Sequence, residues 1–194
     1  MRLIRKSAFQ TLVQAYLHVR KRTYVLPEAV CGAPAEAVLA FMIADPEYDD
    51  WLVGEDRDPL PEGWTPPPLP EGAVTHPPQH GPFALEHLSP DGYERVDLDA
   101  MLRGLRGIIA VDDLRCHPPH SVRDYPLSLQ AWEDLNAWAG SAAGRDIEVF
   151  RLSLSLDDKD YLVSGEWAVQ DLFVEHVIVD RSECELTLVI ALIN

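Results

Sequence analysis

The sequence predicts an α+β fold, with N-terminal and central helices packed on one face of a C-terminal antiparallel β-meander of about four strands. Apolar residues recur at helical spacing near the N-terminus, whereas the last fifty residues alternate between apolar and polar. Between them, nine prolines in the 24 residues 59–82 exclude regular helix and central strand. A chain of 194 residues fits one domain. We expect a single domain with a helical part at 1–44, an acidic and Pro-rich loop at 45–82, a mixed helical middle at 83–145 and the sheet at 146–194.

The helices are predicted from the spacing of apolar residues and from end signals. Phe9, Leu12, Val13, Tyr16 and Leu17 follow the i, i+3, i+4, i+7, i+8 pattern of an amphipathic helix. Further helices are expected at 34–44, where Pro34 suits the first turn, at 98–106, and at 128–139.

The strands are predicted from period-two alternation. Phe150, Leu152, Leu154 and Leu156 alternate with polar residues, which is typical of a strand with one buried face. Three more strands are expected at 161–167, 172–179 and 185–193. The short turns between them predict an antiparallel meander.

The charge balance restricts the class of partner. The formal net charge is −16, from 32 acidic and 16 basic residues. Residues 1–27 contain six basic residues and no acid, so the rest of the chain is more acidic than the average. Nucleic-acid binding is not expected, because it needs clustered Lys and Arg. A basic protein partner is expected instead. The longest apolar run, residues 188–193, is too short to span a membrane, and no membrane association is predicted.

The cysteines indicate a reducing compartment. Cys31, Cys116 and Cys184 are odd in number and widely spaced, unlike a secreted disulfide framework. We therefore expect a cytoplasmic protein in which Cys31 and Cys184 pack as unpaired small apolar residues. The acid-free N-terminus leaves a targeting segment open as an alternative.

Two histidine loops are the candidates for a metal site. "THPPQHGP" at 75–82 and "RCHPPHSV" at 115–122 each place two histidines around a double proline. An extended Pro-Pro spacer holds the two histidines of each loop too far apart for one tetrahedral ion. We therefore predict no metal and no cofactor. A shared site would need the loops side by side; its ligands would come from His76, His80, Cys116, His117 and His120.

Other catalytic signatures are missing from the sequence. It has no glycine-rich phosphate loop, nucleophile elbow, His-Glu-x-x-His helix or Cys-x-x-Cys pair. Asp146 and the "DDK" at 157–159 superficially match a nuclease pattern, but we expect them at opposite ends of one strand. Glu175 and His176 are neighbours on a predicted strand, so their side chains should point to opposite faces.

The acidic segment that follows the second predicted helix is the main candidate for partner binding. It contains seven acids in the fourteen residues 45–58, interleaved with aromatic residues. Aromatic side chains supply binding energy at interfaces, and charges supply steering. The candidate contact residues are Asp45, Glu47, Tyr48, Asp49, Asp50, Trp51, Glu55, Asp56, Asp58 and Trp64. The alternative is a solvated acidic loop that maintains solubility.

These observations favour a small, acidic, non-enzymatic protein that neutralises or escorts a basic protein, as immunity proteins and other antagonists do. One alternative is a metal-assisted hydrolase that uses the histidine loops. Another is an assembly subunit, or a homo-oligomer, that pairs through the apolar C-terminal strand on an exposed sheet edge.

Overall fold

The structure is a computed structural model of the 194-residue chain. It describes residues 1–12, 17–48, 78–116, 125–142, 144–157, 159–162 and 172–193.

A six-stranded antiparallel sheet forms the centre of the molecule, with strand order β1-β2-β8-β7-β6-β5. Its strands are β1 (Ile4–Leu12), β2 (Leu17–Val25), β5 (Tyr93–Val96), β6 (Ile147–Leu152), β7 (Leu172–Asp180) and β8 (Glu185–Ile193). The short strands β3 (Gln79–His80) and β4 (Phe83–Ala84) form a separate hairpin. The helices are α1 (Glu28–Cys31), α2 (Ala35–Ile43), α3 (Leu98–Cys116) and α4 (Tyr125–Ala142). None of these helices is long and apolar enough to cross a membrane.

The prediction of a four-strand meander with an N-terminal helix was wrong. Phe9 and Leu12, assigned to that helix, lie in β1, and Leu17 begins β2; Val13 and Tyr16 are outside the described residues. The two strands pair with each other, and β2 pairs with β8 along its whole length. Apolar spacing in this region is compatible with a helix, but β2 is stabilised by a partner strand about 170 residues away. Of the predicted strands, β6, β7 and β8 are present and pair antiparallel in the order β6–β7–β8, and β5, which was not predicted, pairs with β6. The sheet is therefore larger than expected by one N-terminal hairpin and by β5.

Helices cover both faces of the sheet rather than one. Alternate residues of β8 enter two separate apolar clusters: Leu188 packs with α1 and α2, and Val189 packs with α3 and α4. We call these the α1/α2 face and the α3/α4 face. Because β8 is buried on both sides, its sequence is a continuous apolar run rather than an alternating one.

The C-terminal strand lies inside the sheet. Its position between β2 and β7 leaves no free edge on β8, so the expectation of an exposed edge there was wrong. The three other predicted helices are present as α2, α3 and α4, and α3 extends ten residues beyond its predicted end at 106. Most of the strand predicted at 161–167 lies outside the described residues.

Two cysteines are paired. A disulfide joins Cys31, the last residue of α1, to Cys184 in the β7–β8 turn, with the Cα atoms 5.3 Å apart. The prediction that both are unpaired was therefore wrong. Arg181 strengthens the same junction by donating hydrogen bonds to the carbonyls of Cys31 and Ala33 and to the Glu148 carboxylate.

Candidate functional site

A buried polar cluster on the α1/α2 face is the candidate functional site. It consists of Tyr48, His80, Tyr93 and Glu175, each at most 8% exposed. Glu175 lies on β7 in the middle of the sheet, and Tyr93 reaches it from β5 across the intervening strand β6. Tyr48 and His80 come from opposite ends of the acidic, Pro-rich part of the sequence. We call these four residues the clasp.

The chain leading to Tyr48 is fixed by Asp45. This carboxylate is 5% exposed, and its Oδ2 accepts a hydrogen bond of 2.7 Å from the backbone N–H of Leu3. Its Oδ1 accepts a hydrogen bond of 2.9 Å from the backbone N–H of Glu47 and so starts the short 3₁₀ turn Pro46–Tyr48. Arg5 adds an exposed ion pair with Glu47 at 2.6 Å. The turn therefore aims Tyr48 into the core.

The chain leading away from His80 is fixed by a glycine. Gly81 has φ +53°, and a Cβ there would lie 2.2 Å from the ring of Phe173. Glycine is therefore required on both conformational and steric grounds. His80 and Phe83 are the paired residues next to the turn of the β3–β4 hairpin. Phe83 is fully buried and packs edge-to-face on Phe173. This close packing holds His80 against the sheet.

The imidazole of His80 has an acceptor at each nitrogen. Nδ1 lies 2.7 Å from the backbone carbonyl oxygen of Tyr48, and Nε2 is hydrogen-bonded to Oε2 of Glu175. A carbonyl can only accept, so Nδ1 carries a proton. An ionised Glu175 can only accept at Nε2, so this nitrogen then carries a proton as well. With both ring nitrogens donating, His80 and Glu175 form a charged pair.

Several interactions stabilise the ionised form of Glu175. Burial by itself raises the pKa of this carboxyl, but the charge of His80 and hydrogen bonds from His80, Tyr93 and Tyr48 outweigh it and lower the pKa. The Tyr93 hydroxyl lies 2.6 Å from Oε1 and the Tyr48 hydroxyl 3.1 Å from it, and the two hydroxyls also contact each other. The lowered pKa favours the carboxylate form of Glu175, and the hydrogen-bonding geometry around His80 is then that of an imidazolium.

The two phenols are held in the neutral form. Burial raises the pKa of both Tyr48 and Tyr93 well above the ordinary value, and the negative charge of Glu175 raises it further. Neutral phenols can donate to Glu175, which the ionised forms could not. The clasp is thus one imidazolium, one carboxylate and two phenol donors, with its charges paired inside the core.

The clasp joins the two ends of the acidic segment. The rings of Tyr48 and His80 are stacked with centroids 3.7 Å apart and an interplanar angle of 9°. Residues 49–77 lie between them in the sequence, contain seven acids and one arginine, and are outside the described residues. Whatever conformation this segment has, its chain enters and leaves at one buried point.

The structure separates the predicted contact residues into two groups. Asp45 and Tyr48 are buried in the interior, and Glu47 is paired with Arg5. The remaining seven are outside the described residues: Asp49, Asp50, Trp51, Glu55, Asp56, Asp58 and Trp64.

Of the histidine-loop residues, only His80 has a described side chain. Both of its ring nitrogens are hydrogen-bonded, and it is buried rather than solvent-facing. Cys116 is the last residue of α3, and His76, His117 and His120 lie outside the described residues. No group of three or more His, Cys, Asp or Glu in the described ranges could hold a metal ion.

Sequence reasoning missed Glu175 and Tyr93 as members of this site. One signal was available, because Glu175 is an acid inside the apolar strand "LFVEHVIVD", and a buried acid requires a partner. The identity of that partner depends on contacts between residues 95 positions apart and has no local signature. The expectation that Glu175 and His176 point to opposite faces is confirmed, since His176 lines a pocket beside α3.

Fold and site together define an α+β protein with a central antiparallel sheet and a buried ionic clasp at the base of an acidic segment. No protein-family model, curated protein or solved structure matches the chain.

Proposed function

We propose that this protein is a non-enzymatic binding protein that neutralises or escorts a basic protein partner through residues 49–77. The observation that supports this most strongly is the clasp, because it anchors both ends of the most acidic segment at one point of a rigid sheet. A segment with fixed ends loses less conformational entropy on binding than a free tail does.

The charge distribution of the described residues also supports the proposal. Many basic side chains form ion pairs with acids of the same chain, including Arg5 with Glu47, Arg145 with Asp180, and Arg181 with Glu148. The net charge of −16 therefore belongs to acids that have no basic side chain to balance them. Such a field attracts a basic partner and accelerates its association.

The contact residues that we assign are the acids Asp49, Asp50, Glu55, Asp56 and Asp58, with Trp51 and Trp64 as aromatic anchors. The acids would set the rate of association, and the two tryptophans would supply most of the binding energy. Asp45, Glu47 and Tyr48 act behind this surface, where they hold the start of the segment in place.

The partner is identified by affinity capture from a lysate of the source organism, at low and at high salt, followed by mass spectrometry. Association kinetics with the captured protein then test the segment. Changing Asp49, Asp50, Glu55 and Asp56 to their amides should slow association at least about tenfold at low salt.

The matched control removes the same charge elsewhere. Asp91, Asp157, Asp160 and Glu183 are exposed and lie outside the segment. Their amide variants should slow association much less, since steering depends on charges close to the contact. Equal effects of the two quadruple variants would contradict a role for the segment, and an unaltered rate in both would contradict steering altogether.

The cytoplasmic location is also part of the proposal. The odd number of cysteines favours it, whereas the Cys31–Cys184 disulfide is more typical of an oxidising compartment. Rapid alkylation of the protein in its source cells distinguishes a reducing from an oxidising compartment. Three modified cysteines indicate a reducing compartment, and modification of Cys116 alone indicates an oxidising one.

A further inference from the structure

A pocket with a volume of about 270 Å³ lies beside α3 on the α3/α4 face, opposite the clasp. Its apolar walls are formed by Val96, Met101, Ile108 and Val174. Among the lining residues that the structure describes, the polar ones are Arg151 and His176, which are Cα partners on the adjacent strands β6 and β7. Such a pocket, apolar with a few converging polar groups, has the composition of a small-molecule site, and its size restricts it to a small ligand.

His176 provides a hydrogen-bonding group with no partner among the described residues. The residue is 3% exposed, and its Nδ1 has no hydrogen-bond partner in the part of the chain that the structure describes. Burial, together with the charge of Arg151, lowers the pKa of His176 to about 4, so the ring is neutral at physiological pH. A buried ring nitrogen without a partner is unfavourable, and a ligand in the pocket could satisfy it.

Arg151 supplies the complementary group. Its guanidinium is paired with Glu94, which balances its charge but uses only part of its five N–H donors. The protein as a whole carries a net charge of −16 and therefore repels anions. The polar end of the pocket thus combines a donor with balanced charge and a neutral imidazole, which favours an uncharged ligand group.

We propose that this pocket binds a small, uncharged, apolar molecule that carries one hydroxyl group. The hydroxyl lies between Arg151 and His176, where it accepts a hydrogen bond from the guanidinium and forms a second one with the imidazole. The apolar part of the molecule packs against Met101 and Ile108. The pocket and the clasp are on opposite faces of the sheet, and the proposal does not rest on the proposed function.

Two glycines of α3 provide a matched pair of variants. Gly104 lines the pocket, and Gly107 does not. Both are exposed, and a Cβ at either position would have no atom within 4 Å. The Cβ of Gly104→Leu therefore meets no atom, and the rest of the side chain should occupy pocket volume. Gly107→Leu is the control, because it raises the helix propensity of α3 in the same way outside the pocket. Both variants should remain folded.

The probes are para-cresol, toluene and para-toluate, which share one methylphenyl skeleton and differ in the polar group. Calorimetric titration of the full chain should show para-cresol binding with one site. Toluene should bind about tenfold more weakly, because it leaves the polar groups unpaired. Para-toluate should also bind more weakly than para-cresol. Gly104→Leu should weaken para-cresol binding at least tenfold, with Gly107→Leu unchanged.

A second measurement does not depend on variants. In NMR titrations, para-cresol should shift the signals of the His176 ring and the Met101 methyl group together. Absence of para-cresol binding, or equal binding by wild type and Gly104→Leu, would overturn the site. Tighter binding of para-toluate than of para-cresol would overturn the assignment of an uncharged ligand.

Discussion

The rings of Tyr48 and His80 lie parallel at 3.7 Å, although 31 residues separate them in the sequence. The backbone carbonyl of Tyr48 accepts a hydrogen bond from Nδ1 of His80, so the contact is polar as well as apolar. The carboxylate of Glu175 then fixes the other side of the imidazole. Together these contacts anchor the two ends of the acidic segment to the centre of the sheet.

Removing the charge of Glu175 should destabilise the protein strongly. In Glu175→Gln the buried imidazolium of His80 loses its counter-charge, and breaking such a pair costs about 3 kcal/mol or more. Urea denaturation measures the change in the free energy of unfolding. Glu183→Gln, at an exposed position, is the control and should change it by less than about 0.5 kcal/mol. A loss below about 1 kcal/mol for Glu175→Gln would contradict a charged clasp.

The protein should lose stability in alkali through its two buried phenols. The pKa values of Tyr48 and Tyr93 are raised in the folded state, so above about pH 10 the unfolded chain releases protons that the native protein retains. The free energy of unfolding is therefore maintained below that pH and falls above it. The Tyr93→Phe variant should show a shallower fall.

Phenolate absorbance provides the direct measurement of this effect. Tyr48 and Tyr93 should ionise only as the protein unfolds, because burial raises the pKa of both phenols. If all tyrosines of the native protein titrated together near the ordinary pKa, the burial and bonding of these phenols would be contradicted.

His176 should make stability depend on pH in mild acid. Its pKa of about 4 lies below the ordinary value of 6.5, so between these values the unfolded chain binds a proton that the native protein does not. The free energy of unfolding should therefore fall, by up to about 3 kcal/mol, as the pH decreases through this window. His176→Gln should flatten this slope relative to wild type. The exposed His87→Gln should retain it, and identical slopes in all three proteins would refute the assignment.

The disulfide should contribute substantially to stability. It closes a loop with a sequence separation of 153 residues, for which the chain-entropy model gives about 5 kcal/mol. The test uses a Cys116→Ser background, so that only Cys31 and Cys184 respond to dithiothreitol. Thermal unfolding should shift to clearly lower temperature on reduction. Coincident unfolding curves before and after reduction would show that the bond does not form or does not constrain the chain.

The C-terminal strands could be predicted from the sequence, and β2 could not. Phe150 and Leu152 alternate with polar residues, so one apolar face is visible in the strand β6. In β2, by contrast, Arg20, Arg22 and Tyr24 face one side, and neither side of the strand is uniformly apolar. Arg20 and Arg22 are nevertheless buried, at 3% and 7% exposure. Both residues are paired with β8, opposite Ile190 and Leu188, and a short sequence window does not contain this partner strand.

The candidate site was predictable only in part. The run of acids from Asp45 marks out the segment whose two ends the clasp joins, because charge clustering is a property of sequence alone. That Tyr48 belongs to the core, and that His80 is a buried ion-pair partner rather than a solvent-facing histidine, depends on the fold around Glu175. Long-range polar networks of this kind leave no periodic pattern in the sequence.

The most direct test of the clasp is the protonation state of His80, measured by NMR on protein with isotope-labelled histidine at neutral and mildly alkaline pH. Both ring nitrogens of His80 should have the chemical shifts of an imidazolium throughout this range. Assignment comes from the loss of signals in His80→Gln. A neutral tautomer for His80 at neutral pH would contradict the charged clasp on which this account of the acidic segment depends.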